Sequence, residues 1–167
     1  MKQLLYLCFF CSTIIDTFSQ CTPTISLIGT SSSETLTPLP SSRTGLDYES
    51  SDLTIARTQG NLTVNITNSD GCSNWQLSVA SVPLTWNANL RLWVNKTNDG
   101  SSFASGASIY PSGTTAYQEI TIIPQTFFSG IKDRLSVQIS YKISGISVLL
   151  PVQTYSTTVY YTISASL

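Results

Sequence analysis

The chain contains no histidine. That absence removes Ser-His-Asp and Cys-His catalysis and the usual zinc sites. Charge is also scarce: eight Lys and Arg stand against nine Asp and Glu, a net of −1. With no basic patch, neither nucleic acid nor an anionic membrane surface is an expected partner. No Gly-rich phosphate loop and no Walker pattern occurs. No stretch repeats apolar residues at i, i+3, i+4 and i+7, so no substantial helix is expected.

The one concentrated apolar run lies at the N-terminus. Met1-Lys2 precedes Leu4, Leu5, Tyr6, Leu7, Cys8, Phe9, Phe10 and Cys11, then Ile14 and Ile15. A basic start, a short apolar run and small residues near Ser19 mark residues 1–20 as a secretory signal peptide. The run falls short of the about 20 residues a membrane span needs. Cleavage after Ser19 and after Gln20 both fit. Loss of residues 1–20 removes Lys2 and Asp16, one charge of each sign, so the net stays −1. The mature chain then holds no transmembrane segment, and one ordinary domain is expected. Its address is extracellular or the outer cell surface, with the periplasm as the alternative.

Of the four cysteines, Cys8 and Cys11 leave with the signal. Cys21 and Cys72 remain, and an even pair in an exported chain favours a disulfide. Closing that loop stabilises by about 4 kcal/mol in the chain-entropy description. The alternative is a lipid on Cys21, although Phe18-Ser19-Gln20 is a poor approach to a lipidated cysteine.

Residues 21–45 comprise a short strand, Thr24 to Ile28, and a Ser/Thr/Pro-rich stretch from Gly29 to Gly45. Pro23 suits an edge position for that strand, and the stretch reads as a long loop. Residues 46–167 form the main body. Leu46 to Thr58 is expected to hold one strand. Leu62, Val64 and Ile66 alternate with polar residues, as do Trp75, Leu77 and Val79. Asn68-Ser69-Asp70-Gly71 lies between them, so Leu62 to Ala80 reads as a hairpin. Leu84 to Asn89 reads as a loop, followed by a strand with Leu90, Leu92 and Val94 in phase. Glu119 to Ile123 is expected as a strand and Phe127-Phe128-Ser129-Gly130 as a loop. Leu135, Val137, Ile139, Tyr141 and Ile143 make the most regular strand. The last stretch, Thr154 to Leu167, aligns Tyr155, Val159, Tyr161, Ile163, Ala165 and Leu167 on one face. It is expected to pair with the strand before it and to complete the fold. The class is therefore all-β: an antiparallel sandwich, Ig-like or fimbrial-like, of about 7–9 strands.

Chemistry is sparse. Asp47, Glu49 and Asp52 are the densest carboxylates. They offer either a solvated strand face or a weak calcium site, and a carboxylate glycosidase would need such a pair. Asn98-Asp99-Gly100 reads as a turn, with a ligand role as the alternative. Trp86, Trp93, Tyr110 and Tyr117 are candidates for a sugar-stacking platform. Trp93 is out of phase with its apolar neighbours, and packing within the sandwich is the competing account. Asn61, Asn65 and Asn95 head glycosylation sequons. No cofactor is implied and no catalysis is expected.

The segments N-L-T-V-N-I-T-N, N-W-Q-L-S-V-A, L-S-V-Q-I-S-Y-K-I and Y-S-T-T-V-Y-Y-T-I-S-A resemble small secreted β-sandwich proteins of Bacteroidota. Their pattern is similar to fimbrial-subunit-like and WxL-type surface domains. The resemblance implies an extracellular structural or adhesive role. The WxL group carries a second Trp motif in its last strand; here that place is Val159-Tyr160-Tyr161-Thr162-Ile163, so peptidoglycan binding by that route is not implied. The leading expectation is a surface protein acting by β-strand addition, with itself or other surface proteins as partner. Ile25 and Leu27 would be donor residues, and Val159, Tyr161 and Ile163 would line the acceptor. The alternative is a glycan-binding module using the exposed aromatics.

Overall fold

A computed structural model describes residues 21–29, 53–55, 62–69, 71–146, 150–151 and 153–166. The expected signal peptide, most of the Ser/Thr/Pro-rich stretch, Asp47, Glu49, Asp52 and the Asn61 sequon lie outside the described residues. So does the expected strand over 46–58, apart from 53–55.

Among the described residues there are ten strands and no helix. They are β1 (Thr24–Ile28), β2 (Leu53–Ile55), β3 (Leu62–Thr67), β4 (Asn74–Thr85) and β5 (Arg91–Lys96). Then follow β6 (Ser108–Tyr110), β7 (Gln118–Glu119), β8 (Gln125–Ile131), β9 (Arg134–Ser144) and β10 (Ser156–Ser166). The first sheet has the order β1-β3-β9-β5-β7, with β2 also pairing with β9. The second has the order β10-β4-β8-β6. Every pairing is antiparallel. This is the expected all-β sandwich.

Its core is the sum of the inward stripes. Val64 and Ile66 of β3, Leu92 and Val94 of β5, and Val137 and Ile139 of β9 come from the first sheet. Trp75, Leu77 and Val79 of β4 and Phe127 and Phe128 of β8 meet them from the second. Ring contacts join Trp75 to Phe128 and Phe127 to both Phe128 and Tyr161. The period-two alternation of these strands is the physical cause of the two layers.

Five expectations are corrected, two of them together. Leu62 to Ala80 is not a hairpin: β3 belongs to the first sheet and β4 to the second. The connection crosses between layers and is pinned there. Asp133 Oδ1 accepts from the Ser69 N–H at 2.9 Å and its hydroxyl at 2.7 Å. Trp75 Nε1 donates to the Lys132 carbonyl at 2.8 Å. Lys132 and Asp133 form the β8–β9 turn, itself a layer crossing, so the two corners hold each other.

The second correction concerns Phe127 to Gly130, which is strand β8 and not a loop. A register shift opposite Leu77 and Ser78 inserts one extra residue. Such a bulge lets both adjacent phenylalanines turn inward. Third, Leu84 belongs to β4, which runs on to Thr85, whereas Ile120 to Ile123 is not a strand. Strand β7 is Gln118 and Glu119, which pair with Val94 and Trp93 of β5, and the Ile120 N–H just beyond it still donates to the Leu92 carbonyl at 2.8 Å.

The last correction matters most. β10 does not pair with β9. Both edges of β9 are occupied, one by β3 and β2 and the other by β5. β10 pairs instead with β4 over its whole length, from Ser156 opposite Thr85 to Ser166 opposite Asn74. β9 and β10 thus face one another across the core.

Candidate functional site

A sandwich has four sheet edges, and here they differ. At one end of the first sheet stands β7, two residues long. At one end of the second stands β6, three residues long and followed by Pro111. Short edges and prolines are devices that prevent further pairing. At the other end of the first sheet β1 has five residues. The remaining edge is β10, with eleven residues and neither charge nor proline. Among the described residues its only main-chain neighbour is β4. Alternate N–H and C=O groups of an edge strand point away from its sheet, so among the described residues β10 is the longest edge strand and carries the longest row of such groups.

The side chains of β10 hold it in place without covering that edge. Val159, Tyr161 and Ile163 pack against the core, as their alternation implies. Thr158, Thr162 and Ser164 on the opposite face are exposed. The Tyr161 hydroxyl lies 2.7 Å from that of Tyr141 on β9. Burial, then the neighbouring Tyr141, pushes the Tyr161 phenol well above its ordinary value of 10.0. It therefore stays neutral and able to donate.

β1 lies beside β10, at the same side of the sandwich. Ile25, opposite Ile66, packs on the core; Leu27, opposite Val64, faces inward yet is 44% exposed. Cys21 and Cys72 form a disulfide, with Cα atoms 5.1 Å apart. It ties the start of β1 to the β3–β4 crossing. β1 is thus bonded to its own sheet and covalently held there.

The four aromatic candidates do not form one platform. Trp93 and Tyr117 come together on the outer face of the first sheet. The Lys142 ammonium sits between them, 5.2 Å from the Trp93 ring centre and 5.0 Å from that of Tyr117. Trp93 Nε1 donates to Ser144 Oγ at 2.8 Å, and the Tyr117 hydroxyl is 3.2 Å from Ser140 Oγ. Lys142 was not legible as a member, because only the β5–β9 register places it opposite Trp93. Trp86 packs against the core, donates to the Leu90 carbonyl at 2.9 Å and lines a cleft of about 220 Å³. Tyr110 stands apart on β6 and is exposed.

Asp99 belongs to a structural knot. Its carboxylate accepts from Lys96 Nζ and from the Gly113 N–H at 2.8 Å. Lys96 is fully buried and also donates to the Gly113 carbonyl. Burial of Asp99 works to raise its pKa. The hydrogen bonds from Lys96 and Gly113 and the charges of Lys96 and Arg134 outweigh that and hold it below the ordinary 3.8. Among the described residues no cluster of three His, Cys, Asp or Glu could hold a metal ion.

Two sequons are engaged by the fold. Asn95 is buried, donating to the Thr115 carbonyl at 3.4 Å and accepting from Ser140 Oγ. Asn65 Oδ1 accepts from the Ser136 N–H at 2.7 Å. No helix of the described residues is long and apolar enough to cross a membrane. Compared with protein families, with curated proteins and with solved structures, the chain has no significant match in any of the three.

Proposed function

We propose that this is an exported surface protein, structural or adhesive, that acts by β-strand addition at the edge of β10, which no strand occupies among the described residues. The observation that carries this reading is the contrast among the sheet edges. Three are short, and the fourth offers eleven uncharged residues. In strand addition, main-chain hydrogen bonds supply affinity and alternate side chains supply register. β10 presents both. The disulfide between Cys21 and Cys72 supports an oxidising address. It also speaks against β1 as a donor to a neighbour, because the bridge holds Thr24–Ile28 to its own domain.

The test is amide hydrogen exchange of the oxidised mature protein, with and without a soluble peptide of alternating valine and threonine. Protection confined to Ser156–Ser166 is the expected result. Unchanged exchange along β10 at millimolar peptide overturns the reading.

A second reading rests on Trp93, Tyr117 and Lys142 as a glycan-binding face. The observation that favours it is their convergence on one outer sheet face, ringed by the hydroxyls of Ser140 and Ser144. Aromatic rings beside hydrogen-bonding groups suit sugars. Glycan-array binding that is lost in Trp93→Ala supports it; silence of the unaltered protein across the array removes it.

A further inference from the structure

We propose that the strand added at β10 is the β10 of a second copy, in an antiparallel pair with its twofold axis at Tyr161. The inference rests on the strand-addition reading and names the partner. What points to the partner is a symmetry within the strand. Read outward from Tyr161, S-T-T-V-Y-Y-T-I-S-A-S repeats residue type in both directions, Val against Ile and Thr against Ser, and ends on Ser156 and Ser166. An antiparallel copy placed with Tyr161 opposite Tyr161 puts Val159 opposite Ile163 and Thr157 opposite Ala165. It puts Tyr160 opposite Thr162 and Thr158 opposite Ser164.

Directly opposed residues of an antiparallel pair share a sheet face. Every inward residue from Thr157 to Ala165 then meets a small, aromatic or β-branched partner. Every outward one meets a hydroxyl-bearing partner. No charge opposes another, because the strand has none. An unrelated strand would match the edge in main-chain bonding but not in this reciprocal side-chain order.

The surroundings agree. A twofold axis through the junction keeps the inner faces of both second sheets on one side, making one eight-stranded sheet from two four-stranded ones. The first sheets then flank the junction through their β1 edges. Leu27, inward-facing but 44% exposed, lies at that edge. The pair covers it without any movement of β1, so the disulfide stays intact. Such an interface is isologous and closes on itself, and it yields a dimer and no fibre.

The register makes a charge test available. Thr158 and Ser164 are exposed, and in the pair each faces the other's counterpart. Thr158→Lys with Ser164→Lys places like charges opposite one another twice. Thr158→Lys with Ser164→Glu places opposite charges there. The measurement is sedimentation equilibrium of the full mature, oxidised protein up to millimolar concentration. The expected result is a dimer for the unaltered chain and for the Lys/Glu variant, and dimerisation about tenfold weaker or more for the Lys/Lys variant. The difference should shrink in high salt.

An unaltered chain that stays monomeric overturns the proposal, and so do two variants that behave alike. Should either variant fail to fold, hydrogen exchange of the unaltered protein decides. Protection of Ser156–Ser166 that rises with protein concentration supports the pair, and concentration-independent exchange overturns it. A monomer whose β10 amides are still protected by the valine–threonine peptide keeps strand addition and discards self-pairing.

Discussion

The hydroxyls of Tyr141 on β9 and Tyr161 on β10 lie 2.7 Å apart and join the two sheets through the core. Nothing else in the described residues links the middle of the last strand to the opposite layer by a hydrogen bond between side chains. Tyr161→Phe keeps the ring and removes this link. A loss of about 1 kcal/mol is expected from a neutral hydrogen bond, read as a lower denaturant midpoint with unchanged slope.

The same pair sets an alkaline limit. The folded-state pKa of Tyr161 is raised, so the folded protein holds that proton more tightly than the unfolded chain. This contribution is complete below the unfolded value near 10.0 and is lost as pH rises through the folded value. Stability is expected to fall above about pH 10, and to fall less in Tyr161→Phe. Thermal melts from pH 8 to 11 check both.

Asp99 gives the opposite sign at the acid end. Its depressed pKa means that its contribution is present above the unfolded value of 3.8 and is lost as pH falls through the lower folded value. Asp99→Asn leaves the buried Lys96 without its counter-charge. The Asp99 side chain is 31% exposed, so water screens part of the effect, and a loss of about 1–3 kcal/mol is expected for leaving Lys96 without its acceptor. Adding Lys96→Met should restore much of it, which chemical denaturation of the single and double variants would show.

Gly130 is required by close approach. A Cβ built there would fall against the Trp75 ring and 2.6 Å from the Ser108 carbonyl oxygen. Trp75 is fully buried and held by its bond to Lys132, so it has little room to shift. Gly130→Ala is expected to cost about 1–3 kcal/mol by overpacking, measured as a fall in the unfolding midpoint.

Reduction should loosen the N-terminal strand. The bridge spans a sequence separation of 51. Cys21→Ser with Cys72→Ser is expected to cost about 4 kcal/mol in the chain-entropy description. The oxidised protein should gain two hydrogens in mass on reduction; no gain would count against the bridge.

The chain by itself determined the class of fold. Alternation in Leu62–Ile66, Trp75–Val79, Leu90–Val94 and Leu135–Ile143 is a local property, since successive side chains of any extended strand point to opposite faces. The inward stripe Val159, Tyr161 and Ile163 was legible for the same reason, and the cysteine pairing followed from there being two cysteines after residue 20. Phe127 and Phe128 were not legible as strand, because two adjacent inward residues need a bulge, and a bulge exists only against a partner.

Partnership was decided by the tertiary structure alone. Periodicity says which face of β10 is buried but not which strand lies beside it. β9 had both edges filled, so β10 went to β4, and what seemed a hairpin over Leu62–Ala80 became a crossing between layers. That choice set β10 at the border of its sheet, brought Lys142 between Trp93 and Tyr117, and sent Trp86 and Tyr110 elsewhere. Hydrogen bonding between strands joins residues far apart in the chain, and local pattern carries no record of it.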